Sequence, residues 1–141
     1  MLLVTVLLGV SDTRRQRWAE QEFLAISPPP EAQPIHPKFF SSTRSQVVGN
    51  SYSGSLSLQR LRTHYDSELA RRGWTFESEE PAVYGWPPNR ETAGTIIYYS
   101  KNGYIAHLKY LGPREAQDLK YTFDFNIEWS WLESLAWKLR R

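Results

Sequence analysis

The amino-acid sequence predicts an α+β domain: an antiparallel sheet of about four to five strands with one main helix packed on a face, plus N- and C-terminal helical segments. Three local patterns predict it. The first is residues 119–131, where Leu119, Tyr121, Phe123, Phe125, Ile127, Trp129 and Trp131 alternate with polar residues. A period of two over that length makes a strand with one buried and one wet face, whereas a helix would scatter the rings around its circumference. The second is Asn102-Gly103 between two apolar runs. Both residues tolerate positive φ, so the dipeptide marks a two-residue hairpin. The third is residues 57–72, where Leu58, Leu61, Tyr65 and Leu69 fall on one helical face.

Each element follows from its own residues. Leu2, Leu3, Val4, Thr5, Val6, Leu7, Leu8, Gly9 and Val10 form an almost unbroken apolar run, followed by Ser11, Asp12, Arg14, Arg15 and Arg17. As a helix, residues 2–10 would span about 14 Å, under half of a ~30 Å hydrocarbon core. No basic segment precedes the run and no small-residue cleavage site follows it, so it is a poor signal peptide. Three readings stay open: a buried strand or helix start, a short interfacial segment, or the end of a membrane anchor beginning upstream. The switch from apolar to arginine-rich sequence has the form of a membrane-exit boundary.

Residues 13–26 have helix-forming composition without a clean stripe, and Pro28, Pro29 and Pro30 end that segment. With Pro34 and Pro37, residues 28–37 read as an extended linker. The chain then divides into residues 1–27 as an N-terminal segment and possible tether, the linker at 28–37, the α+β domain at 38–131 and a short helix at 132–141. Residues 38–54 suggest one or two irregular strands ending at Ser53-Gly54. Ser57 is the natural N-cap of the main helix, and Gly73 follows its basic last turn, Arg71 and Arg72. Residues 74–79, 95–101 and 104–111 read as strands. The hairpin turn pairs Lys101 with Tyr104, Tyr99 with Ala106 and Ile97 with Leu108. That leaves Ile96, Tyr98, Ile105, His107 and Lys109 on the other face.

Composition bounds the chemistry. In 141 residues there are six Trp, eight Tyr and six Phe, enough large rings to anchor a core and an interface. A net charge of +2 and a pI near 8.9 fall short of a dedicated nucleic-acid binder. The absence of cysteine removes disulfides, thiol catalysis and Cys-based metal sites. His36, His64 and His107 stand apart from one another, and no phosphate-binding glycine loop occurs. Gly49-Asn50-Ser51-Tyr52-Ser53 lacks the second glycine of a nucleophile elbow. No cofactor, metal site or catalytic set is therefore expected. Glu77, Glu79 and Glu80 form an acidic cluster, and Asp124 and Glu128 share the wet face of the last strand, a carboxylate pair of the kind a hydrolase would need in a pocket.

The helix with Tyr65-Asp66-Ser67-Glu68-Leu69 running into Arg72-Gly73-Trp74 resembles a small domain of uncharacterised bacterial membrane-anchored proteins and lipoproteins. The resemblance covers residues 38–130. It implies a helix ending in Gly-Trp packed on an antiparallel sheet, and a location at a membrane, extracytoplasmic in one reading, without an enzymatic activity. The chain departs from the lipoprotein form in having no cysteine to lipidate.

The function expected from these features is a non-catalytic, membrane-associated binding or scaffolding domain, with a membrane met through residues 2–10 and a protein partner. The alternative is a soluble, cytoplasmic accessory protein that contacts nucleic acid, and behind both stands a hydrolase. Candidate contact residues are Arg60 and Arg71 on the main helix, Tyr98, His107 and Lys109 on the hairpin, and Trp137 in the basic tail with Lys138, Arg140 and Arg141.

Overall fold

The computed structural model describes residues 2–84, 91–111 and 122–129. In chain order these form α1 (Leu2–Ala25), β1 (Gln33–Pro34), β2 (Phe40–Ser42), β3 (Val47–Ser53), α2 (Leu58–Arg71), β4 (Thr75–Tyr84), β5 (Glu91–Lys101), β6 (Tyr104–Tyr110) and β7 (Phe123–Glu128). The class is α+β, with two helices and a seven-stranded antiparallel sheet, more strands than the four to five expected. Strand order is β1-β3-β7-β6-β5-β4, and β2 pairs with the same edge of β3 as β1 does. The helix expected at 132–141 lies outside the described residues, as does Trp137.

The strongest local signals produce the elements they predict. Phe123, Phe125, Ile127 and Trp129 are buried, and the residues between them are half-buried. The hairpin turns on Asn102 (φ 52°) and Gly103 (φ 84°), with Lys101 opposite Tyr104, Tyr99 opposite Ala106 and Ile97 opposite Leu108. On α2, the Ser57 side chain accepts from the Arg60 amide. Leu61, Tyr65 and Leu69 are buried, while Leu58 packs at the rim. At the other end the Gly73 amide donates to Ala70 O (3.0 Å) and the Trp74 amide to Leu69 O (2.9 Å), with Gly73 at φ 86°. This paired closure satisfies two orphan carbonyls and needs the left-handed residue that glycine adopts at no steric cost.

Both helices lie on the sheet face that carries Phe123 and Phe125. Tyr65 stacks on Phe125 with centroids 4.7 Å apart, and Phe23 of α1 meets the same ring at 6.0 Å. The core therefore sits between two helices and one sheet face, closed by Val48, Tyr52, Ile97, Tyr99, Ala106 and Leu108.

Three parts of the fold depart from the sequence expectation. First, α1 is one helix through Ala25, and its core stripe is Ala19, Glu22 and Phe23, continued by Ile26 just past its end. A charged residue inside the stripe hid the pattern, and Leu24, an apolar residue of that segment, is 65% exposed. Second, residues 28–37 do not behave as a linker. Pro29 is fully buried, Gln33 and Pro34 pair with Ser53 and Tyr52, and the buried Asn50 side chain donates to His36 O at 3.1 Å. The prolines stop the helix and then run along β3, where missing amide donors cost little at an edge. Third, β4 continues past Glu79 to Tyr84 through Pro81, between register shifts at Phe76/Ser78 and Pro81/Val83. Among the described residues β4 pairs only with β5, so Pro81 sits where a strand can lack a donor.

Candidate functional site

Pairing in an antiparallel sheet puts opposed residues on one face. The face away from the helices is therefore read from the register. One row across it is Ser51, Asp124, Lys109, Ile96 and Glu80; the next is Gly49, Asn126, His107, Tyr98 and Ser78. A third row holds Val47, Glu128, Ile105 and Ser100. The candidate residues Tyr98, His107 and Lys109 thus stand together, joined by Asp124, Asn126 and Glu128 of β7.

These side chains touch one another. His107 Nε2 lies 2.9 Å from Glu128 Oε1, a diagonal ion pair when the imidazole is protonated, and the His107 and Tyr98 rings are 6.2 Å apart. Asn126 has room only because residue 49 is glycine: a Cβ there would fall 1.7 Å from Asn126 Oδ1 and 2.7 Å from Phe125 O. Asp124 Oδ1, Asn126 Oδ1 and Ser78 Oγ are buried without a hydrogen-bond partner among the described residues. Buried acceptors and hydroxyls of this kind cost free energy until something donates to them.

Asp124 is the electrostatic centre of this face. Burial lifts its carboxyl above the ordinary aspartate value, while its electrostatic interactions with His107 and Lys109 pull the other way. Because the folded value is raised, the site favours folding at low pH, and that contribution is lost as pH rises through the folded value. Asp124→Asn keeps the shape and removes the charge. It is expected to raise the urea unfolding midpoint at neutral pH. A lowered midpoint would contradict the burial reading.

Arg60 and Arg71 stand elsewhere. They belong to α2, across the sheet from Tyr98, His107 and Lys109. Arg60 holds Glu31 through two bonds of 3.0 Å, and Arg71 holds Glu68 at 2.7 Å. Both pairs are solvent-exposed, where such contacts contribute little to stability.

A second polar cluster, with no signal in the local sequence, lies between the helices and the hairpin. The Glu22 carboxylate, 6% exposed, accepts from Arg72 Nε (3.2 Å) and Nη2 (3.1 Å), Trp74 Nε1 (3.0 Å) and Lys101 Nζ (3.0 Å). Lys101 also donates to Arg72 O and sits 5.5 Å over the Trp18 ring. Trp18 in turn packs 4.1 Å from the Tyr104 ring. Burial by itself raises the Glu22 carboxyl, but the bonds from Arg72, Lys101 and Trp74 outweigh it and hold the group below its ordinary value. Both oxygens of the Glu22 carboxylate are engaged from within the fold, so the cluster is a fastening rather than a ligand site.

Among the described residues, no three His, Cys, Asp or Glu side chains group to hold a metal ion. No protein-family model matches the chain, and neither a curated protein nor a solved structure matches it.

Proposed function

We propose that the chain is a non-catalytic binding or scaffolding domain, held at a membrane surface through α1 and presenting the outer sheet face to a protein partner. One observation carries the reading. The apolar run of residues 2–10 belongs to the same unbroken helix whose other end is fixed in the core by Ala19, Phe23 and Ile26 and by Glu22. Anything that engages the run is thereby coupled to the sheet without an intervening linker. Among the described residues no helix is long and apolar enough to cross a membrane. The association in this reading is insertion from one side.

The outer face supports the binding half of the proposal through the acceptors at Asp124 and Asn126 that find no donor among the described residues. The hydrolase reading is weaker. Asp124 and Glu128 are four residues apart on one strand, about 13 Å along it, beyond the ~5–9.5 Å used by carboxylate pairs in glycoside hydrolysis. The nucleic-acid reading also loses ground, since Arg60 and Arg71 face acids on the helical side.

Flotation with phosphatidylcholine vesicles tests the tether. The full chain should rise with the vesicles. A Leu3→Lys/Leu7→Lys variant should partition about 100-fold less, two buried leucines being worth roughly 1.5 kcal/mol or more each. Equal flotation of both, with unchanged circular dichroism, would refute it.

A further inference from the structure

We propose that the end of the domain from which α1 enters the sheet is a basic collar for anionic phospholipid headgroups, built from Arg14 and Arg17 of α1 and Arg44 of the β2–β3 turn. This inference rests on the membrane reading above and adds its lipid chemistry and its orientation.

The collar is assembled by tertiary contacts. Arg14 and Arg17 are exposed and three residues apart, so they lie on one side of the helix just after the apolar run. Between them in sequence, Gln16 turns to the sheet. Its Nε2 donates to Ser41 Oγ at 2.8 Å, and the Thr43 hydroxyl donates to its Oε1. Ser41 donates onward to Glu20 at 2.6 Å. These bonds clamp the β2–β3 turn against α1, and the exposed Arg44 follows Thr43 in that turn. Arg15 supplies a second tie, donating to Trp129 O at 3.4 Å. A cation 27 residues beyond Arg17 thus joins the helix's own arginines.

Among the described residues, Glu20 and Glu128 at this end are committed. Glu20 accepts from Ser41, and Glu128 pairs with His107. Over residues 11–17 the sequence holds one acid, Asp12, against three arginines. A positive surface beside an apolar run is complementary to a bilayer whose outer layer is anionic, each such cation near the surface being worth about five-fold in binding. Among the described residues Trp18, the nearest large ring on α1, is engaged with Trp74 and Tyr104, and the exposed Phe40 of β2 is a single ring rather than a row on which successive bases could stack. That favours lipid over nucleic acid.

The test is co-sedimentation of the full chain with vesicles of phosphatidylcholine alone or mixed with phosphatidylserine, at low and high salt. Mixed vesicles should bind the chain more tightly, and salt should erase the difference. Arg44→Gln should lower binding to mixed vesicles about five-fold, Arg14→Gln/Arg17→Gln by about 25-fold, and Arg44→Lys should restore most of the loss. None of these should alter binding to phosphatidylcholine alone. Equal binding to both vesicle types overturns the collar and leaves the tether standing. Loss of flotation on neutral vesicles by the parent chain defeats the tether reading itself. An unchanged Arg44→Gln, beside a weakened Arg14→Gln/Arg17→Gln, removes the turn from the surface and overturns the collar as stated. Retention of an oligonucleotide that depends on Arg44, with no vesicle preference, assigns the patch to nucleic acid and overturns the lipid proposal.

Discussion

Glu22→Ala is expected to destabilise the fold by about 3 kcal/mol in urea denaturation at pH 7, the low end of what breaking a buried ion pair costs. The low end applies because the cations left behind are not equally trapped. The Arg72 side chain is 34% exposed and can turn to water, whereas Lys101 is 21% exposed and lies over the Trp18 ring. The loss reaches further than one contact. Glu22 joins α1 to the closing turn of α2 through Arg72 and Trp74, and to β5 through Lys101. The alanine variant should therefore loosen α1 before the sheet, seen as faster amide exchange at residues 19–26 than at β6 or β7.

The same group fixes a pH dependence. Its folded value lies below the ordinary carboxylate value of 4.5, so the contribution is complete above that value and is lost as pH falls through the lowered folded value. The parent chain should lose stability below about pH 4.5, and Glu22→Gln should lose this part of the slope while starting from a lower stability at neutral pH. Asp124 carries the opposite sign, so Asp124→Asn should leave the acid limb at least as steep as the parent's. Equal slopes for the parent and Glu22→Gln between pH 6 and 3 would contradict the ion-pair account.

What the sequence reveals follows from the range of each interaction. The hairpin, the capped helix and the alternating strand rest on residues within one turn or one pleat of each other; the first two stand as read, and the strand stands over Phe123–Glu128, its outer face half-buried rather than wet and Leu119, Tyr121 and Trp131 outside the described residues. From the hairpin register alone Tyr98, His107 and Lys109 could be placed side by side. Their meeting with Asp124, Asn126 and Glu128 could not, because it depends on β6 pairing with β7 across residues 111–122. The pairing of Val47 with Glu128 spans 81 positions and has no local mark at all. Likewise α1 hid its inward face because Glu22 sits within it, and only Arg72 and Lys101, 50 and 79 residues away, neutralise that charge. Prolines misled for a related reason: they forbid a helix, but they permit an edge strand, and only the sheet order tells which positions are edges.

Tyr65 is where two substitutions should move stability in opposite directions. Its side chain is fully buried on the inner face of α2, stacked on Phe125 and meeting Phe123 edge-on at 6.0 Å. Its hydroxyl is buried without a hydrogen-bond partner among the described residues, and burial pushes its pKa well above the ordinary tyrosine value. Tyr99, by contrast, donates its hydroxyl to Asp66 at 2.5 Å. Tyr65→Ala removes a ring that links α2 to the sheet and should cost about 3–5 kcal/mol, the usual toll of emptying a large aromatic site. Tyr65→Phe keeps the ring and removes only the unpaired hydroxyl, whose desolvation is uncompensated, and should raise stability by about 1 kcal/mol. Tyr99→Phe is the control: it strips Asp66 of a donor and should lower stability by about 1 kcal/mol. If Tyr65→Phe instead destabilised as Tyr99→Phe does, the Tyr65 hydroxyl would have a partner in solution, and a bound water inside the core would be the first to look for.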